Sequence, residues 1–465
     1  MPETKLWDNG QRGKSTFMQL TPSLRLATSR FLFCLASIAT FALPCFAQQS
    51  NAAPWKPDTG DTAWILISAA LVLLMTPALA FFYGGMVRRK NVLNTLLLSF
   101  GAAAVVGVAW VVVGYSLAFA PGNDFIGGFH YLFLNNVGYG PAPFAPTIPH
   151  QAFMIYQCMF AIITPALISG AVVERVKFKP FLVFCLLWSL LVYAPVAHWV
   201  WGGGWLGKLG ALDFAGGAVV HVNAGFAALV AALVVGRRRD HKVMPLRPHN
   251  LPFTLLGAGL LWFGWFGFNA GSALSSGQLA TVAFVNTNIA AAAAMLVWMV
   301  LDHLARREVT ALGAASGAVA GLVGITPAAG FVSPMSALAV GAITALVCYY
   351  SANWRAKSTL DDSLDAFAVH GVGGACGAIL TGIFATAALK DINPVAAAGL
   401  LEGGLRQFGI QIFSVVVVIA YTMAVSFALL KIIDRVWGLR VDEECEHRGL
   451  DLSIHGEDAY GESFA

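Results

Sequence analysis

The sequence predicts an all-α polytopic membrane protein with eleven transmembrane helices, divisible into five plus five plus one. Three observations predict it. Charged residues make up only 11% of the 465 and hydrophobic ones 58%, whereas a soluble domain carries about 25% charged residues. The apolar residues fall in repeated blocks of roughly 20, the length a helix needs to cross ~30 Å of hydrocarbon. The 48 glycines suit helix packing in lipid, where small residues let backbones approach.

At the N-terminus, Arg25 and Arg30 precede the apolar run FLFCLASIATFALP and then CFAQQ. A charged region, a short apolar core and a small residue read as a signal peptide, residues 1–47, cut after Ala47. The alternative is a first membrane span, against which stand the short run, Pro44 and the polar QQSN that follows. The long stretch ahead of Arg25 leaves room for a start further in.

Residues 48–434 then form the membrane domain. Its spans fall near 62–86, 92–119, 150–173, 180–199, 214–236, 251–275, 279–303, 309–329, 333–354, 365–388 and 408–433. Fifteen Lys/Arg lie in loops after the odd-numbered spans up to the ninth, including RRK (88–90) and RRR (237–239), against only Lys56, Lys208, Lys390 and Arg406 on the other side. The positive-inside rule therefore places the mature N-terminus outside and the C-terminus in the cytoplasm. Residues 435–465 form a polar, acidic cytosolic tail that composition alone reads as a disordered terminus.

Ionisable groups inside spans are costly and mark ion or proton paths by default. The fifth and tenth spans each open with an acid followed by a histidine, Asp213 with His221 and Asp365 with His370. Five-span repeats would be inverted relative to one another, a common transporter plan. Two histidines at matching places read less as helix glue than as a pair sharing one proton. Such a pair suits a small neutral molecule or a proton relay, and with no third ligand nearby it makes no metal site. Asp213 precedes FAGG and suits helix capping, while also lending negative potential to the outer mouth. Glu174 closes the third span, and His198, Asp302 and His303 sit at span ends where solvent is expected to reach them.

Aromatic residues add a second signal. WVWGGGW (199–205) precedes the Asp213 motif and GWFGFNAGSA (264–273) ends the sixth span. Such rings serve in the interfacial belt, or, with a serine hydroxyl, hold a small cation by cation–π contact. Seven cysteines without CxxC or Cys/His spacing read as small core residues.

The blocks FFYGGMVRRKN (81–91), VVERVKF (172–178), AHWVWGGGWL (197–206), DFAGGAVVHVNAG (213–225), GWFGFNAGSA and DDSLDAFAVHGVGG (361–374) resemble those of the Amt/Mep/Rh ammonium transporters, most closely the bacterial Amt branch. The resemblance covers essentially the whole mature chain and extends to the signal and tail. It implies two inverted five-helix halves, a final peripheral helix and a homotrimer with one pore per subunit in the inner (plasma) membrane. Trp201, Ser272 and Phe160 match the outer ammonium-binding site, with Tyr156 where many relatives have phenylalanine. Phe160 and Phe268 match the stacked gate, His221 and His370 the twin histidines, and Asp213 the entrance acid. The tail suggests docking of a PII-type (GlnK-like) regulator.

Two rival classes remain, an Rh-like neutral gas channel and an ammonium sensor. The acid-plus-tryptophan entrance argues against the first, and the lack of a fused signalling domain against the second. No nucleophile–base set, phosphate loop or cofactor fingerprint is present, so neither an enzyme, a cofactor nor a nucleic-acid partner is expected.

Overall fold

The computed structural model describes residues 55–243 and 246–461. The expected signal peptide, 1–47, and its cleavage site lie outside them. Among the described residues, ten helices are long and apolar enough to cross a membrane and one more is apolar but shorter. In chain order they are α1 (Thr59–Met86), α2 (Arg89–Phe119), α3 (His150–Ala171), α4 (Phe178–Leu209, broken after Val200), α5 (Gly217–Val235), α6 (Leu251–Ala273), α7 (Gln278–Arg306), α8 (Ala311–Ile325), α9 (Pro334–Lys357), α10 (Phe367–Phe384) and α11 (Leu405–Trp437). Eleven alternating spans make the halves α1–α5 and α6–α10 antiparallel to each other. One face carries the basic loops and the C-terminus; the other is called the far face below.

Side-chain caps set several helix starts. Asp58, Asn250, Thr310 and Ser333 accept the N–H of Asp61, Phe253, Gly313 and Ser336, satisfying donors that a helix end otherwise leaves bare. Between α2 and α3 a short antiparallel hairpin forms on the far face, β1 (Pro141–Ala142) with β2 (Ala145–Pro149).

Close approach explains much of the glycine content. On α6, Gly257, Gly264 and Gly271 recur at seven-residue intervals. A Cβ on Gly257 would collide with the backbone of Phe82 and Ala78, and one on Gly264 with Met75 and the Leu71 carbonyl. This stripe lets α1 and α6 pack backbone to backbone. The second crossing, of α5 with α10, centres on Gly225 and Gly371, where a Cβ on Gly225 would overlap the Gly371 main chain.

The eighth span is shorter than the expected 309–329. Its helix ends at Ile325, and Pro327, which has no N–H to continue the ladder, starts a run of turns. The carbonyls of Thr326 and Pro327 instead accept Ala215 N (3.2 Å) and Phe214 N (3.1 Å). That backbone pairing fixes the entry into α5.

The basic face is held by a buried ion network joining four loops. Glu174, fully buried, accepts from Arg88 Nε (2.8 Å) and Nη2 (2.5 Å) and meets Arg238 Nη1 at 3.5 Å. Asp361 pairs with Arg238 through Nε (3.0 Å) and Nη2 (2.7 Å). Burial alone would push both carboxyls up, but their guanidinium partners outweigh it, holding Glu174 below its usual range and Asp361 at about 2. Depressed acids stabilise the fold above their unfolded value, and that stability is lost as pH falls from about 4 towards 2. Glu174→Gln is expected to cost about 2 kcal/mol at neutral pH, since Arg88 and Arg238 lose a fully buried carboxylate and keep only Asp240 and Asp361 as charged partners. Thermal unfolding in detergent at pH 7 and pH 3 measures both effects; an unchanged midpoint for the variant at pH 7 refutes the second, and an equal midpoint of the native protein at both pH values refutes the first.

The tail packs on this face instead of trailing as coil. Val176 and Arg440 form a β-bridge, and Lys177 N donates to Leu439 O (2.8 Å). The short helix α12 (Glu443–Arg448) sets Glu446 to accept Arg239 N at 2.7 Å and Arg440 Nη2 at 2.7 Å. Asp451 then accepts the N–H groups of Leu93 (3.0 Å) and Asn94 (2.8 Å), capping the first turn of α2 from 357 residues away.

Candidate functional site

The site is built around the α5–α10 crossing. Both helices open in a wide π-type turn, Gly217–Val222 and Phe367–Val372, and each turn contains its histidine. Such turns are rare and frequent at functional sites. Asp213 organises the first. Its Oδ1 accepts Gly216 N (2.9 Å) and Gly217 N (2.5 Å), and its Oδ2 accepts Ala218 N (2.9 Å) and Val219 N (3.0 Å). Both oxygens are thus committed to backbone, so this buried carboxylate builds the helix start.

The matching acid of the second turn is Asp362, not the Asp365 that the sequence predicts. Asp362 lies eight residues before His370, as Asp213 does before His221, and accepts Ala366 N (3.1 Å) and Phe367 N (2.9 Å). Asp365 has left-handed backbone (φ 60°) and pairs bidentately with Arg355 at 2.8 Å twice. The eight-residue offset was the signal that could have found Asp362.

The glycine crossing brings the imidazoles together. His221 and His370, 1% and 4% exposed, stack at 5.3 Å between centroids and 20° between planes, with Nδ1 to Nδ1 at 3.3 Å. One Nδ1 must carry the hydrogen and the other accept it. The pair therefore presents one Nε2 acceptor and one Nε2 donor. Trp265, absent from the sequence-derived site, stacks on His221 at 5.4 Å and donates Nε1–H to Thr326 Oγ1 (2.9 Å). Its place in the GWFGF block was the available clue.

Towards the far face, Phe268 lies 6.0 Å from His221, and Phe160 covers Phe268 at 4.3 Å. Both phenylalanines are 1% exposed. Trp201 meets the Phe160 ring edge-on at 6.0 Å and donates Nε1–H to the Asp213 carbonyl (2.8 Å). Ser272 is half-buried and donates to Phe268 O at 2.9 Å. Tyr156 is wholly buried behind Phe160, its hydroxyl lying 2.9 and 3.0 Å from the Phe268 and Gly267 carbonyls and 3.1 Å from Ser272 Oγ. Its hydroxyl is taken up by these buried partners and ties Ser272 to the end of α6. Tyr156→Phe is expected to lower stability by about 1 kcal/mol and weaken substrate half-saturation a few-fold while leaving maximal flux; a lowered maximal flux with unchanged half-saturation would contradict that role.

Three cavities run from the stacked rings to the basic face. The first, about 10 Å³, is lined by Phe268, Trp265, His221 and His370, barely room for one water-sized molecule. It shares Phe82, Val319 and His370 with a second of about 50 Å³ that reaches Asp365. That one shares Met86, Leu312, Leu364 and Asp365 with an open vestibule of about 630 Å³.

Two expectations about span ends are corrected. His198 is buried, with Nδ1 2.9 Å from Ala118 O and Nε2 2.8 Å from Asn123 O, because the loop after α2 folds over it. Asp302 is buried and accepts Thr310 Oγ1 at 2.6 Å, because the α7–α8 corner closes on it. His303 is exposed, as expected.

Eleven apolar spans among the described residues, six of which line a narrow path from stacked rings to paired imidazoles, define a polytopic helical membrane transport protein. Residues 63–460 match the Ammonium Transporter Family. An ammonium transporter of Bacillus subtilis is 50% identical over 405 residues, covering 87% of this chain and 99% of its own. The crystal structure of Candida albicans Mep2 is similar at TM-score 0.80 and 38% identity, covering 83% of this chain and 87% of its own. A structure titled "Sensor Amt Protein" reaches TM-score 0.78 at 30% identity, covering 85% and 98%. The chain belongs to the ammonium transporter family.

Proposed function

We propose that this protein takes ammonium from outside the cell, strips its proton and passes ammonia through the paired-histidine path into the cytoplasm. The observation that carries the reading is the narrow, one-molecule void at the His221–His370 pair, lined mostly by apolar side chains and closed above by Phe160 and Phe268. Ammonium and potassium are alike in size and charge, so no pore diameter separates them. An apolar path closed by rings penalises any ion that keeps its charge, whereas ammonium sheds its charge with a proton.

Each residue has a place in that route. Trp201 and Phe160 offer ring faces and Ser272 a hydroxyl oxygen to the arriving cation, with Tyr156 holding Ser272. Phe160 and Phe268 form the gate. The histidine pair accepts from and donates to ammonia in turn. Asp213 and Asp362 hold the two helix starts that aim the histidines, and Asp365 with Arg355 lines the exit. The basic face is cytoplasmic by its excess of Lys/Arg. The far face is periplasmic, in keeping with a cleaved signal over 1–47 and insertion in the inner membrane. A homotrimer and a PII-type regulator docking on the basic face complete the reading.

A sensor duty is the second reading, favoured by the similarity to the structure titled "Sensor Amt Protein". Flux separates the two. In vesicles under an imposed potential, the transporter reading expects saturable methylammonium uptake with no potassium current. Tight substrate binding without uptake would establish the sensor and overturn the transporter. Lack of binding to any cognate PII protein by the tail-intact chain would remove the regulator.

A further inference from the structure

On the flank of the helix bundle, a groove of about 520 Å³ runs between α5 and α11. Ala420 and Ala424 form its floor and Leu233, Val234 and Phe427 its walls, with Leu233 62% and Phe427 52% exposed. Lys431 closes one end, its Nζ 5.8 Å from the Phe427 ring centroid. From Ala420 to Lys431 the helix rises about 16 Å, roughly half of a ~30 Å hydrocarbon core. The groove is therefore as long as one leaflet is thick, apolar along its length and cationic at the basic-face end. Arg435 follows one turn beyond Lys431, and Arg237 follows the end of α5. The one acid in this turn, Asp434, accepts the Leu439 N–H at 3.0 Å, which directs it to the tail.

We propose that this groove is a binding site for an anionic glycerophospholipid of the basic-face leaflet, one acyl chain lying along Ala420 and Ala424 and the phosphate meeting Lys431. The small floor residues make room that a bulkier helix face would fill. The Lys431 ammonium, held over the Phe427 ring, sits on a long stem that can carry it to headgroup depth, where a basic side chain attracts anionic lipid. The assignment of that leaflet to the cytoplasmic side rests on the orientation proposed above; the groove and its charge do not.

Native mass spectrometry of the purified full chain, titrated with phosphatidylglycerol or phosphatidylcholine, tests the site. The protein is expected to bind one more phosphatidylglycerol per protomer than Ala424→Trp, whose indole fills the floor. Lys431→Gln is expected to bind phosphatidylglycerol about fivefold more weakly (~1 kcal/mol) with phosphatidylcholine affinity unchanged. Equal phosphatidylglycerol binding by all three proteins overturns the proposal, and so does cross-linking that places a second copy of the chain in the groove. Neither residue touches the conducting path, so both variants should keep methylammonium uptake, and a failed pore reading would not be mistaken for a failed lipid site.

Discussion

Asp213→Asn is expected to lower the unfolding temperature in detergent sharply and to leave little transport. The carboxylate accepts four backbone N–H groups at 2.5–3.0 Å inside the membrane domain. An amide has one oxygen, so two of those donors would face an NH₂ group. Hydrogen bonds to a charged group are worth about 1.5–3 kcal/mol each, and a buried unsatisfied donor costs about 1–3. Losing two places the change near 4 kcal/mol or more, among the rare large effects of a single substitution. The consequence travels further, because the Asp213 carbonyl holds the Trp201 indole and the capped turn sets the register of His221. Uptake per folded molecule decides between roles. If the variant folds with normal stability yet loses uptake, with a deficit that is largest at low salt and shrinks as salt screens the native charge, the acid acts on the cation and the capping account fails.

Span positions were legible because membrane crossing demands about 20 apolar residues in a row, and nothing else in a chain looks like that. What escaped depended on partners distant in sequence. The early end of α8 comes from Pro327 together with carbonyls claimed by Phe214 and Ala215 from another span. Asp365 is the acid nearest the tenth span and so draws attention first, while the capping acid, Asp362, is visible only when the two halves are aligned on their histidines. His198 and Asp302 look solvated from their place at span ends; burial follows from loops that fold back over them. The tail has the composition of coil, and its order comes from complementary groups on the basic face, such as Asn91 at the start of α2 accepting Leu450 N at 2.9 Å. The ring stack and the histidine pair were the most legible part of the site, since lipid makes titratable residues rare enough to notice. Tyr156 was legible as a ring of the site but not as a buried support behind Phe160.

Replacing either histidine is expected to have the largest effect on transport with the least on folding, and the choice of replacement separates shape from proton chemistry. His221→Ala removes a ring stacked on both Trp265 and His370 and leaves His370 Nδ1 without its 3.3 Å partner. The void of about 10 Å³ then widens towards the 50 Å³ cavity below it, enough for several waters in file. Uptake should fall and potassium should leak, because hydrated ions need a wet path. His221→Phe keeps a ring of similar shape against Trp265 but offers no nitrogen. It should stay closed to potassium and still lose uptake by about tenfold to a hundredfold, the equivalent of one or two buried hydrogen bonds in the path. His370→Phe should behave alike, since the pair shares one proton and neither ring presents both functions alone. Isotopic methylammonium uptake beside potassium current in the same vesicles reads both quantities. Full ammonium-selective uptake in the phenylalanine variants would mean that the pore needs only a plug of the right size there, and the paired-imidazole mechanism would have to be abandoned.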